Sequence, residues 1–273
     1  MVERIACFLT CGYTEAGIMQ AYLKKINENY DYKQYLPNRT IKKKRSPKNI
    51  SSSISGVTGE KLLQKIYSII EKHKDEISKC SAIIIEDDLD ARFYGLNESQ
   101  IKEYIAEIKK NVCEKLGCER EVFMLYASPE IESWFIADWK NGFEYLFSES
   151  GIVKDVEKAA IKFYTHNLKI MVERDILKNY VDDIEQYGMF DGKYVKLSDN
   201  LIEMIQIDSK RQIANIKEAN VQYIKQIIDS RYIYYSKKLH GSVMLRNIRP
   251  ENVANKCTRY FKDTYLNLRN FKS

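Results

Sequence analysis

The residues of this chain best suited to chemistry are carboxylates, and they are clustered. Glu86, Asp87, Asp88 and Asp90 place four acids within five positions, directly after the apolar run SAIII at 81–85. Four like charges this close repel one another unless a cation or a basic ligand offsets them. Hard oxygen donors gathered in this way suit Mg²⁺ or Mn²⁺. The D-x-D spacing of Asp88 and Asp90 lets both side chains face one metal from a turn. Two more acidic groups fall where strands should end: Glu15 after CGYT (11–14), and Glu130 and Glu132 after Ser128-Pro129. Glu15 and either Glu130 or Glu132 complete the expected shell. A metal so held activates water and stabilises charge on a phosphoryl group. Taken singly, Glu15, Glu130 and Glu132 also suit the first turn of a helix through the macrodipole alone, and EDDLD suits a solvated turn. Their coincidence at three successive strand ends is what points to a metal site.

The elements that must position these acids follow from periodicity. Residues 3–10 read as a short buried strand, and Thr14 is placed to cap a helix over 15–27 that carries Ile18, Met19, Tyr22, Leu23 and Ile26 on one face. Tyr32 to Leu36 reads as a second strand. A second helix begins near Thr58, with Leu62, Leu63, Ile66, Ile69 and Ile70 on one side. SAIII is a β-branched run suited to a strand buried on both faces. Residues 97–116 form the clearest helix, with Asn97 and Gln100 as a capping box and Gly117 as its stop. EVFMLYA (121–127) is a further strand, after which Ser128 is expected to cap a helix with Pro129 at its first position. Strand and helix alternate four times, which predicts an α/β fold with a mostly parallel sheet flanked by helices. In such a sheet the site lies outside the carboxyl ends of the strands.

Beyond about residue 150 the pattern becomes mainly helical, with one hairpin expected at Asp191-Gly192. The division predicted is an α/β domain at 1–150 and a helical C-terminal region at 151–273 packed on it. With 44% hydrophobic and 30% charged residues the composition is that of an ordinary globular protein. No apolar run approaches the ~18 residues of a membrane span and the N-terminus has no signal-peptide layout, so a cytoplasmic location and no membrane partner are expected. Six scattered cysteines read as reduced thiols. Cys113 and Cys118 lack the second pair that a zinc site needs.

Three segments resemble the bacterial Toprim-like proteins related to OLD-family nucleases and RloB-like defence proteins. CGYTEAG looks like the family's Glu-Gly-x-Thr-Glu motif, IIIEDDLD like its D-x-D motif, and ASPEIESWFIAD like its motif with a Glu before an aromatic helix. YYSKKLHGSVMLRNI (234–248) is similar to a C-terminal segment in which Tyr, Ser-Lys and Gly recur. The resemblance implies a Toprim-like fold and a Mg²⁺- or Mn²⁺-dependent nuclease of phage defence that cuts DNA or RNA. It implies that Asp88 and Asp90 hold the metal, with Glu15 and Glu132 as further ligands or proton carriers. Lys237 or Lys238 would contact the scissile phosphate if the C-terminal segment folds back over the site. One departure stands out: Cys11 occupies the place of the family's first Glu, and a thiol is a poor ligand for hard Mg²⁺. Glu15 and Glu86 are positioned to compensate. The alternative is a catalytically degenerate member that binds or signals alongside a separate ATPase, since this chain has no P-loop of its own. A homo-oligomer is compatible with either.

Residues 38–56 are basic and then Ser-rich, with no apolar period, and read as an exposed loop. Arg39, Lys42, Lys43, Lys44, Arg45 and Lys48 carry no acid among them. Beside an acidic metal site such a loop draws in the phosphates of a polyanion, which favours nucleic acid over a small phosphorylated substrate. It equally suits a solubilising loop. The three histidines, His73, His166 and His240, share no metal-ligand spacing.

Overall fold

The computed structural model describes residues 3–10, 18–37, 57–148, 155–208, 226 and 233–272. The segment 11–17, with Cys11 and Glu15, and the basic segment with Lys42, Lys43, Lys44 and Arg45 lie outside the described residues. Four strands, β1 (Glu3–Phe8), β2 (Tyr30–Leu36), β3 (Ala82–Asp88) and β4 (Glu121–Ala127), form one sheet in the order β2-β1-β3-β4. Each neighbouring pair is parallel. The α/β fold with a parallel sheet and a helical C-terminal part is therefore as the sequence predicts.

Side chains alternate across a strand, and the strands sort their apolar residues accordingly. Ile5, Cys7, Ile84, Phe123 and Leu125 join a core under α1 (Met19–Ile26), α5 (Glu132–Ala137) and the C-terminal helices. Ala6, Phe8, Ile83, Ile85, Val122 and Met124 join a second core under α2 (Gly59–Lys72) and α4 (Glu98–Leu116). Helix α4 starts and stops as its sequence dictates. The Asn97 side chain accepts from the Gln100 N–H while the Gln100 side chain accepts from the Asn97 N–H, and Gly117 closes the helix at φ 75°.

The described residues after 150 do not fold apart. Tyr164 and Leu168 of α7 (Asp155–Met171), Met244 and Leu245 of α9 (Lys237–Asn247), Val253 of α10 (Pro250–Lys256), and Phe261 and Leu268 of α11 (Phe261–Asn270) share the core of Ile5 and Leu125. The Asp191-Gly192 turn joins β5 (Met189–Phe190) to β6 (Lys193–Tyr194) as an antiparallel pair. Its central residues have φ of 50° and 74°, both left-handed, as a two-residue type I′ turn requires.

Two local expectations are corrected. The strand read as SAIII runs three residues further, through Glu86, Asp87 and Asp88, because these pair in register with Leu125, Tyr126 and Ala127. The acids therefore begin inside the sheet rather than after it. Ser128 and Pro129 do not open a helix: the Pro129 carbonyl accepts the Asp90 N–H at 2.7 Å, the Ser128 hydroxyl donates to the Glu185 carbonyl at 2.6 Å, and α5 starts only at Glu132.

Candidate active site at the carboxyl edge of the sheet

The parallel sheet brings the ends of β3 and β4 side by side, and alternation decides where each acid points. Glu86 and Asp88 share one face of β3, while Asp87 takes the other. Asp87 is neutralised structurally: Arg92 Nη1 lies 2.6 Å from its Oδ2, and the Gly59 N–H reaches its carboxylate at 3.2 Å. Its burial still raises its pKa above the ordinary value. Glu86 is fully buried and accepts both the N–H and the hydroxyl of Thr10, each at 2.9 Å, which ties β3 to the end of β1.

The remaining carboxylates converge. Asp88 is half-buried, and its Oδ1 accepts the Ile131 N–H at 3.1 Å. Asp90 has φ 50°, a left-handed conformation that Asp tolerates, and this turns the chain immediately after the strand. Its Oδ1 accepts the Tyr194 hydroxyl at 3.0 Å. Glu130, beyond β4, accepts Ser198 Oγ at 2.8 Å and lies 3.5 Å from the same Tyr194 hydroxyl. Glu132 accepts the Tyr235 hydroxyl at 2.7 Å. Helix α9 delivers Lys237 at its first position. Its Nζ lies 2.5 Å from Glu130 Oε2 and 3.0 Å from Glu132 Oε2, so the C-terminal segment does fold back over the strand ends.

The charges are unequal. Among the described residues, Lys237 is ion-paired to Glu130 and Glu132 and feels Asp88, and Lys196 adds a second positive charge near Glu130. Glu130 and Glu132 are buried, whereas the Lys237 side chain is 34% exposed. Burial would raise Glu130, but Lys237 and Ser198 hold its pKa below the ordinary value; burial dominates at Glu132 and raises it. Lys237 is raised despite its own desolvation, by Glu132, then Glu130 and Asp88. The Tyr194 hydroxyl is pushed far up by burial and by the charges of Glu130 and Asp90, so it stays a neutral donor.

Among the described residues no group of three or more Asp, Glu, His or Cys side chains forms a ready-made metal shell. The donor chemistry nevertheless fits a hard divalent ion. Mg²⁺ usually keeps several waters and is held by one or two carboxylates plus substrate phosphates, and Asp88 and Asp90 supply two half-buried carboxylates with an excess of negative charge behind them. Glu132, expected as a ligand, is enclosed with Lys237 and Tyr235 instead.

The structure brings together Asp88, Asp90, Lys237 and the Glu130/Glu132 pair, which the sequence reading had singled out. That reading missed Tyr194, Ser198 and Tyr235, which hold three of those carboxylates. Tyr194 had a legible clue, since the Asp191-Gly192 turn fixes the short β6 on which it sits. Lys237 is ion-paired to both Glu130 and Glu132. No protein-family model, curated protein or solved structure matches the chain.

Proposed function

We propose that this protein is a Toprim-like, Mg²⁺- or Mn²⁺-dependent nuclease acting on DNA or RNA. The observation that carries the reading is the meeting of Asp88 and Asp90 with Glu130, Glu132 and Lys237 at the carboxyl edge of a parallel sheet, the place where open α/β sheets bind ligands. The resemblance of CGYTEAG, IIIEDDLD and ASPEIESWFIAD to the Toprim-like motifs, carried partly by the same acids, agrees with it. A divalent ion on Asp88 and Asp90 would supply an activated water and neutralise charge developing on the phosphoryl oxygens. The chain's own groups do the rest. The Ile131 N–H and the Tyr194 hydroxyl orient Asp88 and Asp90, one oxygen each. Lys237 Nζ spends two of its three N–H groups on Glu130 and Glu132 and presents its partly exposed ammonium to a phosphate. Glu130 and Glu132 are both enclosed, at 1% and 0% exposure, and act as positioning residues for Lys237.

One observation favours the alternative, a binding or signalling subunit that works with a separate ATPase: Lys237 itself neutralises part of the cluster. Cleavage separates the two. Plasmid, linear duplex, single strands and tRNA incubated with Mn²⁺ or Mg²⁺ should be cut by the wild type and left intact by Asp88→Asn/Asp90→Asn. If both proteins bind nucleic acid but neither cuts any substrate, the binding reading replaces the nuclease.

A further inference from the structure

A cavity of about 220 Å³ opens directly beside the carboxylates, and Asp90 lines both. It is smaller than the ~300–1,000 Å³ typical of complete small-molecule sites, so it has room for one ring system rather than a whole ligand. Its lining mixes charged groups, Asp90, Glu185 and Arg259, with aromatic rings. Phe93 and Tyr260 pack with ring centroids 5.6 Å apart, and Tyr180 and Tyr187 at 6.2 Å. Tyr94, at the rim, is 65% exposed, the most exposed large hydrophobic side chain among the described residues. A flat, π-faced group fits a cleft of this size with tyrosine rings in its lining.

We propose that this cavity takes one unstacked nucleobase, which makes the substrate a single-stranded or locally unpaired nucleic acid. The inference rests on the phosphodiesterase reading of the adjoining acids and deepens it. A nucleobase is joined to its phosphate through a single sugar, so a base in this cavity carries its phosphodiester toward the neighbouring carboxylates. A base within a duplex is stacked and paired, and reaching this cavity would require its extrusion. A strand without partners presents its bases freely, and stacking on tyrosine tolerates any base because every base has a π-face.

The test is equilibrium binding with Ca²⁺ in place of Mg²⁺, read by anisotropy of labelled 12-residue oligonucleotides. The set comprises single-stranded DNA, single-stranded RNA, duplex DNA, and a single strand in which every base but one is replaced by abasic sites. Wild type is compared with Tyr94→Ala and Tyr180→Ala, each first checked for an unchanged melting temperature; neither is among the acids or lysine of the reaction site. Single strands should bind at least about tenfold more tightly than duplex. Each tyrosine substitution should weaken single-strand binding about 5- to 100-fold, the range of stacking on one base, and leave duplex binding unchanged. One remaining base should restore most of the affinity of the full strand. Duplex and single strand bound alike, binding indifferent to both tyrosines, or no binding at all would overturn the proposal. Tyrosine-dependent binding without cleavage of any substrate would sink the nuclease reading and leave the base pocket standing. Cleavage that depends on Asp88 and Asp90 but ignores strandedness and both tyrosines would do the opposite.

Discussion

Replacing Lys237 with methionine isolates the electrostatics of the site. Glu130 and Glu132 are buried and share the one Nζ, at 2.5 and 3.0 Å. With that charge gone they cannot both stay ionised, and one must hold a proton. Against the ordinary glutamate value of 4.5, keeping one carboxyl protonated at pH 7 costs about 1.4 kcal/mol per pH unit, or about 3 kcal/mol. Lys237 is a third exposed, so water can replace part of what it supplies, and the expected loss is about 2–3 kcal/mol. The pH dependence is diagnostic. In the wild type Glu130 is held below its ordinary value, so its contribution is present above pH 4.5 and is lost as pH falls through its folded value. In the variant Glu130 is raised as well, joining Glu132, which burial already raises in the wild type. The folded protein then binds a proton that the unfolded chain releases, and stability is lost as pH rises above 4.5. Urea unfolding at pH 7.5 and at pH 5 should show the Lys237→Met deficit shrinking by more than half at the lower pH. A second substitution, Glu132→Gln, keeps the acceptor for Tyr235 and should recover most of the loss at pH 7.5. A deficit that is equal at both pH values and unaffected by Glu132→Gln would refute the reasoning, because it would mark Lys237 as a packing residue only.

Three further outcomes follow from the same contacts. Arg92→Met leaves Asp87, with a side chain only 4% exposed, without its cation, and should cost about 3 kcal/mol in denaturant titrations; Asp87→Asn in the same chain should return much of it. Gly192→Ala puts a Cβ where nothing lies within 4 Å, so its cost is backbone strain at φ 74°, about 1–2 kcal/mol. If Tyr194 orients Asp90, that variant and Tyr194→Phe should both lower metal-dependent turnover more than they lower stability. Glu185, buried but accepting the N–H groups of Arg259, Tyr260 and Phe261, is pushed up to about 7 by desolvation. Its stabilising contribution is full below pH 4.5 and is lost as pH rises through 7, so carboxyl titration by NMR should place it near neutrality, and Glu185→Gln should flatten that part of the stability profile.

Local rules made much of the fold readable. The Asn97–Gln100 box, Gly117 and the apolar stripe between them define α4, since capping and periodicity act within a few residues. EVFMLYA became β4 with the expected bounds, and Asp191-Gly192 became the hairpin turn. The length of β3 was not readable, because what carries the strand through Glu86 and Asp87 is distant: Thr10, Gly59 and Arg92 satisfy the acids, and β4 pairs with the backbone. The delayed start of α5 has a similar origin in the Pro129–Asp90 hydrogen bond. The acids of the site were visible as types and spacings. Their division into roles was not, since it depends on Lys237 arriving from more than 100 positions away to hold Glu130 and Glu132 while Asp88 and Asp90 stay half-buried.

The most direct test of the central claim is Mn²⁺ binding followed by electron paramagnetic resonance. The wild type should bind Mn²⁺ in competition with Mg²⁺. Asp88→Asn/Asp90→Asn should lose that binding while remaining folded, and Glu132→Gln should retain it. Mn²⁺ binding that is absent in the wild type, or unchanged by the loss of both aspartates, would contradict the account.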